Sequence, residues 1–258
     1  MDIKDQITEK LMETEKKYGV KIIYAAESGS RSWGFASPDS DYDCRFIYVS
    51  RLESYLSLEE RKDTIECELN PVFDISGWDL KKALKLLKRS NAAICEWLLS
   101  PIKYKEEQSL IEPIRGLIPY CFDEARTLRH YMGVASGKLS AIREKETERL
   151  KTYFYCLRPL ACCQHILEFS SFPPVEYASV IGSISIEPRI LDEINKLLLL
   201  KASMKEGERI PKNASLLEYM DKAALSIEEE LSRMHGNPTQ QNGLLDGIFR
   251  KTIEDAWI

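Results

Sequence analysis

The sequence is organised around one polar segment that lies between two apolar ones. It reads Gly29-Ser-Arg-Ser-Trp-Gly-Phe-Ala-Ser-Pro-Asp-Ser-Asp41-Tyr-Asp43-Cys-Arg45. Before it, residues 20–26 are mostly apolar and predict a central strand, and residues 41–49 after it predict a second strand. Side chains two positions apart in a strand face the same side of the sheet. We therefore expect Asp41 and Asp43 to lie side by side where the second strand begins.

The carboxylates of this segment predict a metal site. Two like charges so close together are unfavourable unless a cation lies between them. Oxygen ligands of this kind suit Mg²⁺, or Mn²⁺ in its place, which shares its coordination sphere with substrate phosphates. A two-metal site needs one more carboxylate, and Asp74, at the end of an extended region within residues 63–75, is the preferred candidate. Glu66 and Glu68, which alternate with apolar residues, are alternatives, whereas Asp79 is assigned to helix capping.

Gly29 and Ser30 predict an anion site in front of these carboxylates. A glycine allows close backbone approach, and a serine hydroxyl with free N–H groups can face an anion. This combination suits the β- and γ-phosphates of a nucleoside triphosphate, and Arg31 would add positive charge. Three aromatic residues nearby are predicted to pack in the core rather than to stack on a base: Trp33, Phe35 and Tyr42.

The pattern of apolar residues divides the chain into two halves. A helix is predicted over residues 2–18 and ends at Gly19, and after the strands two helices are predicted over residues 78–88 and 91–99. From about residue 122 onward the pattern is typical of helices alone, over residues 125–138, 147–169, 188–205 and 214–235. The sequence thus predicts an α/β domain over residues 1–120 and an all-helical domain over residues 121–258.

Charge and cysteine content narrow the class of protein. The 258 residues include 36 Lys and Arg and 41 Asp and Glu, a net charge of −5, which argues against binding nucleic acid over the whole surface. Residues 126–169 carry eight basic and four acidic residues, so this stretch is +4, and Lys151 within it is predicted to bind phosphate. Seven cysteines without a Cys-x-x-Cys pair, and no apolar run long enough to span a bilayer, predict a reduced, cytoplasmic protein without a membrane segment. The histidines have no ligand spacing and are assigned to packing or surface: His130, His165 and His235.

The order Gly-Ser, Asp-x-Asp and a third Asp on a later strand resembles the DNA polymerase β-like nucleotidyltransferase superfamily. The full 29–45 segment is more specifically similar to a bacterial and phage branch, the RNA-repair-associated polymerase β-like proteins, and so are the segments that begin at Asp74 and Lys151. The resemblance implies a mixed sheet with flanking helices and a two-metal transfer of a nucleotidyl group from a nucleoside triphosphate. The implied catalytic and metal-binding residues are Asp41, Asp43 and Asp74. The implied nucleotide-binding residues are Gly29, Ser30, Arg31, Ser40 and Lys151.

The sequence leaves the acceptor and two other functions open. The acceptor hydroxyl could belong to an RNA 3′ end, a protein side chain or a small molecule, because the same reaction centre serves all three in the superfamily. A nucleotide-sensing module would bind triphosphate and metal without turnover. An antitoxin-like protein would instead modify or mask a partner protein. Base preference and oligomeric state are not predicted.

Overall fold

The computed structural model describes residues 2–59, 61–67, 72–234 and 242–258, and Glu68 and His235 lie outside this part of the chain. Its described residues form two compact units. The first unit falls within Met1–Ser32, Asp41–Phe122 and Thr239–Ile258, and the second within Trp33–Ser40 and Asp123–Pro238. The units differ from the predicted domains in residues 33–40 and 242–258, and the domain boundary at residue 120 stays a prediction.

The first unit begins with a capped helix and a central strand. Helix α1 spans Ile3–Tyr18, the Asp2 carboxylate accepts a hydrogen bond from the backbone N–H of Ile3, and Gly19 ends the helix in the left-handed conformation. Strand β1 (Lys21–Glu27) follows and is almost entirely buried. The predicted helix, its stop at Gly19 and the predicted strand are confirmed.

A five-stranded mixed sheet forms the centre of the first unit. Its strands are β1, β2 (Tyr42–Val49), β3 (Thr64–Glu66), β4 (Phe73–Asp79) and β5 (Lys103–Glu106), in the order β3-β4-β2-β1-β5. Only β2 and β4 run parallel, and the other neighbours are antiparallel. The predicted mixed sheet with flanking helices is confirmed. Helix was predicted from Trp78, but Trp78 pairs with Ile47 and Thr64, so β4 continues to Asp79.

Helices cover the sheet of the first unit. They are α2 (Gly29–Ser32), α3 (Leu52–Tyr55), α4 (Leu80–Lys88), α5 (Ala92–Leu98), α6 (Gln108–Arg115), α7 (Ile118–Cys121) and α13 (Asn242–Ala256). The Asp79 carboxylate accepts a hydrogen bond from the backbone N–H of Lys81 at 2.8 Å, so its predicted role as the cap of α4 is confirmed. Within the core, Ile22 on β1, Phe46 on β2 and Ile75 on β4 are buried in one cluster.

The second unit is largely helical. Its helices are α8 (Glu124–Glu144), α9 (Leu150–Phe169), α10 (Tyr177–Ser183), α11 (Pro188–Ser203) and α12 (Ala214–Arg233). The expectation of helices alone was wrong in one detail, because β6 (Thr147–Arg149) pairs with β7 (Arg209–Pro211). This pairing delays the start of α9 from the predicted residue 147 to Leu150. Among the described residues, no helix is long and apolar enough to cross a membrane.

Candidate active site

The turn after β1 approaches a carboxylate on β2. Gly29 has a φ of +64°, and a Cβ added to it would lie 2.5 Å from Oδ2 of Asp43. Two independent reasons therefore require glycine here: the left-handed backbone and the contact with Asp43. The backbone N–H of Ser28 donates to the carbonyl oxygen of Asp43 at 2.8 Å, and the Ser30 side chain is buried in the same turn. The structure thus brings the predicted Gly-Ser pair to Asp43.

Asp43 and Asp74 lie opposite each other on the parallel strands β2 and β4. One guanidinium joins their carboxylates: Nη2 of Arg45 lies 3.1 Å from Oδ1 of Asp43 and 2.7 Å from Oδ2 of Asp74. Hydrogen bonds from Arg45, and its charge, hold the pKa of Asp74 below its usual range against the opposing effect of burial. Glu66, the alternative to Asp74, pairs instead with Ser76 and is exposed, so the geometry favours Asp74.

The Glu27 side chain holds the backbone of Asp43 in place by a hydrogen bond. Its side chain is only 1% exposed, its Oε1 accepts the backbone N–H of Asp43 at 2.8 Å, and its Oε2 accepts the Tyr104 hydroxyl. Burial raises the pKa of Glu27, although the hydrogen bonds from Tyr104 and from the Asp43 backbone act in the opposite direction. A buried carboxylate therefore anchors the residue that carries one of the two paired carboxylates.

Asp41 lies outside the strand that it was predicted to begin. Strand β2 starts at Tyr42, and the Asp41 side chain is exposed. Nε of Arg31 donates to the carbonyl oxygen of Asp41 at 3.0 Å, and the Arg31 guanidinium lies 3.8 Å from the centre of the Tyr42 ring. In the part of the chain that the structure describes, no three His, Cys, Asp or Glu side chains are arranged to hold a metal ion.

Ser40 and Lys151, the other two predicted nucleotide-binding residues, meet within the second unit. Both bind one carboxylate: the Ser40 hydroxyl donates to Oε1 of Glu206 at 2.7 Å, and Nζ of Lys151 lies 2.8 Å from Oε2. Burial raises the pKa of Glu206, but the bonds from Lys151 and Ser40 outweigh it and lower the pKa overall. Beside this group, Lys201 is 1% exposed and donates to the Ser37 hydroxyl, and burial lowers its pKa.

A cleft of about 340 Å³ opens next to Lys151 in the second unit. Ammonium groups flank one aromatic ring there, since Nζ of Lys138 and of Lys151 lie 5.9 and 5.4 Å from the centre of the Tyr155 ring. Arg149 adds a further cation to the lining. Arg158, on the same helix, is buried, and its guanidinium lies 4.4 Å from the centre of the Trp33 ring. The cleft therefore combines cations with a ring, as phosphate and base recognition requires.

The predicted aromatic packing is confirmed at Phe35. Its ring is buried and stacks on Phe154, with the centroids 4.9 Å apart. Tyr42 packs against Phe73, and Trp33 meets the Tyr155 ring edge-on.

Sequence reasoning missed three charged residues of these groups. Arg45 stands two positions after Asp43, so the alternation of the strand could have placed it on the same face. Glu27 ends the apolar first strand, and its burial has no signal in the sequence. Glu206 is more than 160 positions from Ser40, its partner, and only the folded chain brings them together.

The mixed sheet, the Gly-Ser turn and the carboxylates on neighbouring parallel strands define the class of polymerase β-like nucleotidyltransferases. Residues 3–251 match the model of a family described as "RNA repair pathway DNA polymerase beta family". The chain belongs to this family, which confirms the resemblance drawn from the motif.

Two proteins are similar to this chain over most of its length. YcgL of Bacillus subtilis (strain 168), described as an uncharacterized protein, is 34% identical over 255 residues, which cover 99% of this chain and 98% of YcgL. A crystal structure of a nucleotidyltransferase-like protein from Exiguobacterium sibiricum 255-15 is 13% identical and has a TM-score of 0.33; the match covers 97% of this chain and 79% of that one.

Proposed function

We propose that the protein transfers a nucleoside monophosphate from a nucleoside triphosphate to the 3′ hydroxyl of an RNA. One observation carries the proposal: Asp43 and Asp74 lie in register on parallel strands, directly beside the Gly29 turn. In this reaction the acceptor oxygen forms a bond to the α-phosphorus, the bond to the β-phosphate oxygen breaks, and pyrophosphate leaves while the hydroxyl proton passes to solvent. The family description supports RNA as the acceptor.

The paired carboxylates fit a divalent cation. One oxygen of Asp43 and one of Asp74 both contact the same nitrogen of Arg45. The two carboxylates are therefore close enough to bind one metal ion placed between them. Carboxylate oxygens are ligands that Mg²⁺ and Mn²⁺ accept. Asp41, one residue before the strand, would complete the set through rotation of its exposed side chain. When bound, the metal would supply Lewis acidity and charge neutralisation at the phosphates.

The protein's own groups would bind and orient the triphosphate. The Gly29 turn lies against Asp43, and its backbone N–H groups and the Ser30 hydroxyl would bind a phosphate there. Arg31 would add charge from the same turn. Lys151 and Ser40, the two predicted phosphate-binding residues of the second unit, share the Glu206 carboxylate there.

The proposed location is the cytoplasm. All seven cysteines carry free thiols and six of them are buried, as a reducing compartment permits.

Transfer can be tested with each α-labelled nucleoside triphosphate, Mg²⁺ or Mn²⁺, and an RNA that ends in a 3′ hydroxyl or in a 3′ phosphate. We expect label on the 3′-hydroxyl RNA only, and its loss in Asp43→Asn and Asp74→Asn but not in Glu66→Gln. Loss of several kcal/mol of transition-state stabilisation corresponds to a decrease in the rate of transfer of about a hundredfold or more. Label on protein in a cell lysate would identify a protein acceptor instead. No transfer with any triphosphate, metal or acceptor would contradict the proposal.

A second candidate is a nucleotide-binding module without turnover. The Arg45 guanidinium, which already neutralises both paired carboxylates, favours it. Asp74→Ala separates the two candidates. An enzyme would lose turnover and keep some nucleotide affinity, whereas a binding module would show no turnover in either form.

A further inference from the structure

A second charged cleft lies at the opposite end of the strands that carry the carboxylates. It has a volume of about 310 Å³ and is lined from Ser50, which directly follows β2, to Lys85 on α4. Asp43 is near the start of β2, and Ser50 is seven residues further on. Asp79, which also lines the cleft, follows Asp74 on β4 by five residues. At about 3.3 Å per residue the cleft lies about 17–23 Å from the paired carboxylates. It is therefore a separate site within the first unit.

Positive charge is in excess in this cleft. Arg61, Lys62, Lys81 and Lys85 are exposed in its lining, and within the described part of the chain none of the four forms a salt bridge. A fifth cation, Lys82, is paired with Asp63 at 2.9 Å.

The carboxylates of the lining are largely engaged elsewhere. Asp79 is buried; it caps α4 and accepts the hydroxyls of Tyr55 and Ser50 at 2.9 and 3.2 Å. Asp63 is held by Lys82, and among the described residues of the lining the exposed Glu59 is the one carboxylate left without a salt bridge. The local charge is thus positive in a chain whose total is −5.

The rest of the lining supplies hydroxyl groups. Ser54 and Ser57 accompany Ser50 and Tyr55, and the described residues of the lining include no aliphatic side chain. Phosphate oxygens of nucleic acids are bound by this mixture of Lys, Arg, Ser and Tyr side chains. The polar lining does not suit an apolar peptide or the acyl region of a bilayer.

The row of cations continues along α4. Lys81, Lys85 and Lys88 follow one another at positions i, i+4 and i+7, so they lie on one face of the helix. All three also line one side of a neighbouring cleft of about 220 Å³ between α4 and α13, whose other lining residues are Asp246 and three apolar residues, Leu84, Leu245 and Phe249. The positive surface is therefore an extended track, which suits a chain of phosphates better than a single one.

We propose that this track binds the phosphate backbone of the RNA upstream of its reacting 3′ end. RNA as the polyanion rests on the proposed function, whereas the track itself rests on the charges described above. At the rise of about 3.4 Å per nucleotide of a stacked strand, an acceptor of about five to seven nucleotides contacts both the carboxylates and the track.

Binding can be measured without catalysis. Anisotropy of a labelled RNA of about 20 nucleotides, in EDTA without nucleotide, is compared for the wild type, K62Q/K81Q/K85Q and the matched control K4Q/R129Q/K205Q. The control removes the same charge from exposed residues outside the track. We expect the first variant to bind about tenfold or more weakly at low salt, with the slope of log Kd against log salt reduced by about 2. The control should bind like the wild type.

Equal affinity of both variants, or equal loss in both, would overturn the proposal. So would binding of the wild type to anionic phospholipid vesicles but not to RNA, because the track would then serve a membrane surface. Transfer assays keep this outcome apart from that of the proposed function. The track variant should still label an acceptor of about four nucleotides and lose efficiency with long acceptors only. If no transfer occurs but RNA binding still depends on the track, the proposed function is contradicted and the proposed role of the track is supported.

Discussion

At the scale of single residues, the pairing of Asp74 with Arg45 predicts a dependence of stability on pH. The pKa of Asp74 is lowered in the folded state, so its charge stabilises the fold above the unfolded pKa, and this contribution is lost as pH falls through the folded pKa. We expect Asp74→Asn to melt below the wild type at neutral pH, with a difference that disappears in acid. Because the carboxylate is 40% exposed, the effect should be at most about 1 kcal/mol.

Thermal melts in EDTA across the acid range measure this difference. Asp41→Asn is the control, since the Asp41 side chain is exposed and forms no salt bridge among the described residues. A difference for Asp74→Asn that stays constant with pH would show that lost geometry, and not charge, causes it.

The contribution of Glu27 to stability should change with pH in the opposite direction to that of Asp74. Burial raises its pKa in the folded state, so the contribution to stability is complete below the unfolded pKa and is lost as pH rises through the folded pKa. Glu27→Gln keeps an oxygen for the backbone N–H of Asp43 and removes the buried charge. We expect it to raise Tm at neutral and alkaline pH and to leave Tm unchanged in acid. A lower Tm than the wild type at every pH would contradict this expectation.

The residues that the sequence could and could not predict differ in how far apart their partners lie. Asp43 and Arg45 share a face because they are two positions apart on one strand, and strand alternation is visible in any sequence. The pairing of Asp43 with Asp74 depends on strand order, which the sequence did not predict; the motif resemblance implied only that both residues belong to one site. Glu206 joins Ser40 and Lys151 across more than 50 positions, and nothing local indicates such a contact.

At the scale of secondary structure, Gly77 on β4 makes a close contact that can be tested. A Cβ added there would overlap the ring of Phe46 on the neighbouring strand. Gly77→Ala should therefore destabilise the protein by about 1–3 kcal/mol, as overpacking of a filled core does. Gly133→Ala is the matched control: it lies in α8 with open space around it, so alanine should stabilise the helix by about 0.5–1 kcal/mol. Chemical denaturation gives both values, and equal signs for the two variants would contradict the argument.

Elements were predicted well where burial imposed a pattern on them. The buried strand β1 and the amphipathic helix α1 have such patterns. The edge strand β5 reads Lys-Tyr-Lys-Glu, is only partly buried and was not predicted, because a strand that faces solvent needs no apolar residues. The three-residue strands β6 and β7 are too short to show alternation at all.

At the scale of the whole molecule, each compact unit includes a short segment that is distant in sequence from the rest of that unit. Residues 33–40, within the motif itself, belong to the second unit, where Phe35 stacks on Phe154 and meets the Tyr177 ring edge-on. Helix α13 belongs to the first unit. A single boundary is all that a change of composition along a sequence can indicate, because membership of a unit is decided by contacts between distant residues.

Because each unit includes a segment from elsewhere in the chain, we expect that residues 1–122 do not fold alone. The fragment would lack α13, which buries Leu245 and Ile253 and whose neighbour Trp257 donates to the carbonyl oxygen of Ser50 at 3.1 Å. Without the burial of these two side chains the first unit would lose about 3–6 kcal/mol of stabilisation. Phe35 would also lose two of its aromatic partners, Phe154 and Tyr177, and keep Trp33. We expect the fragment to melt without a cooperative transition, and the full chain that lacks residues 242–258 to keep the transition of the second unit while that of the first falls. A cooperative melt of the fragment close to that of the full chain would show that the segments are accessory, and that the sheet with its carboxylates is stable without them.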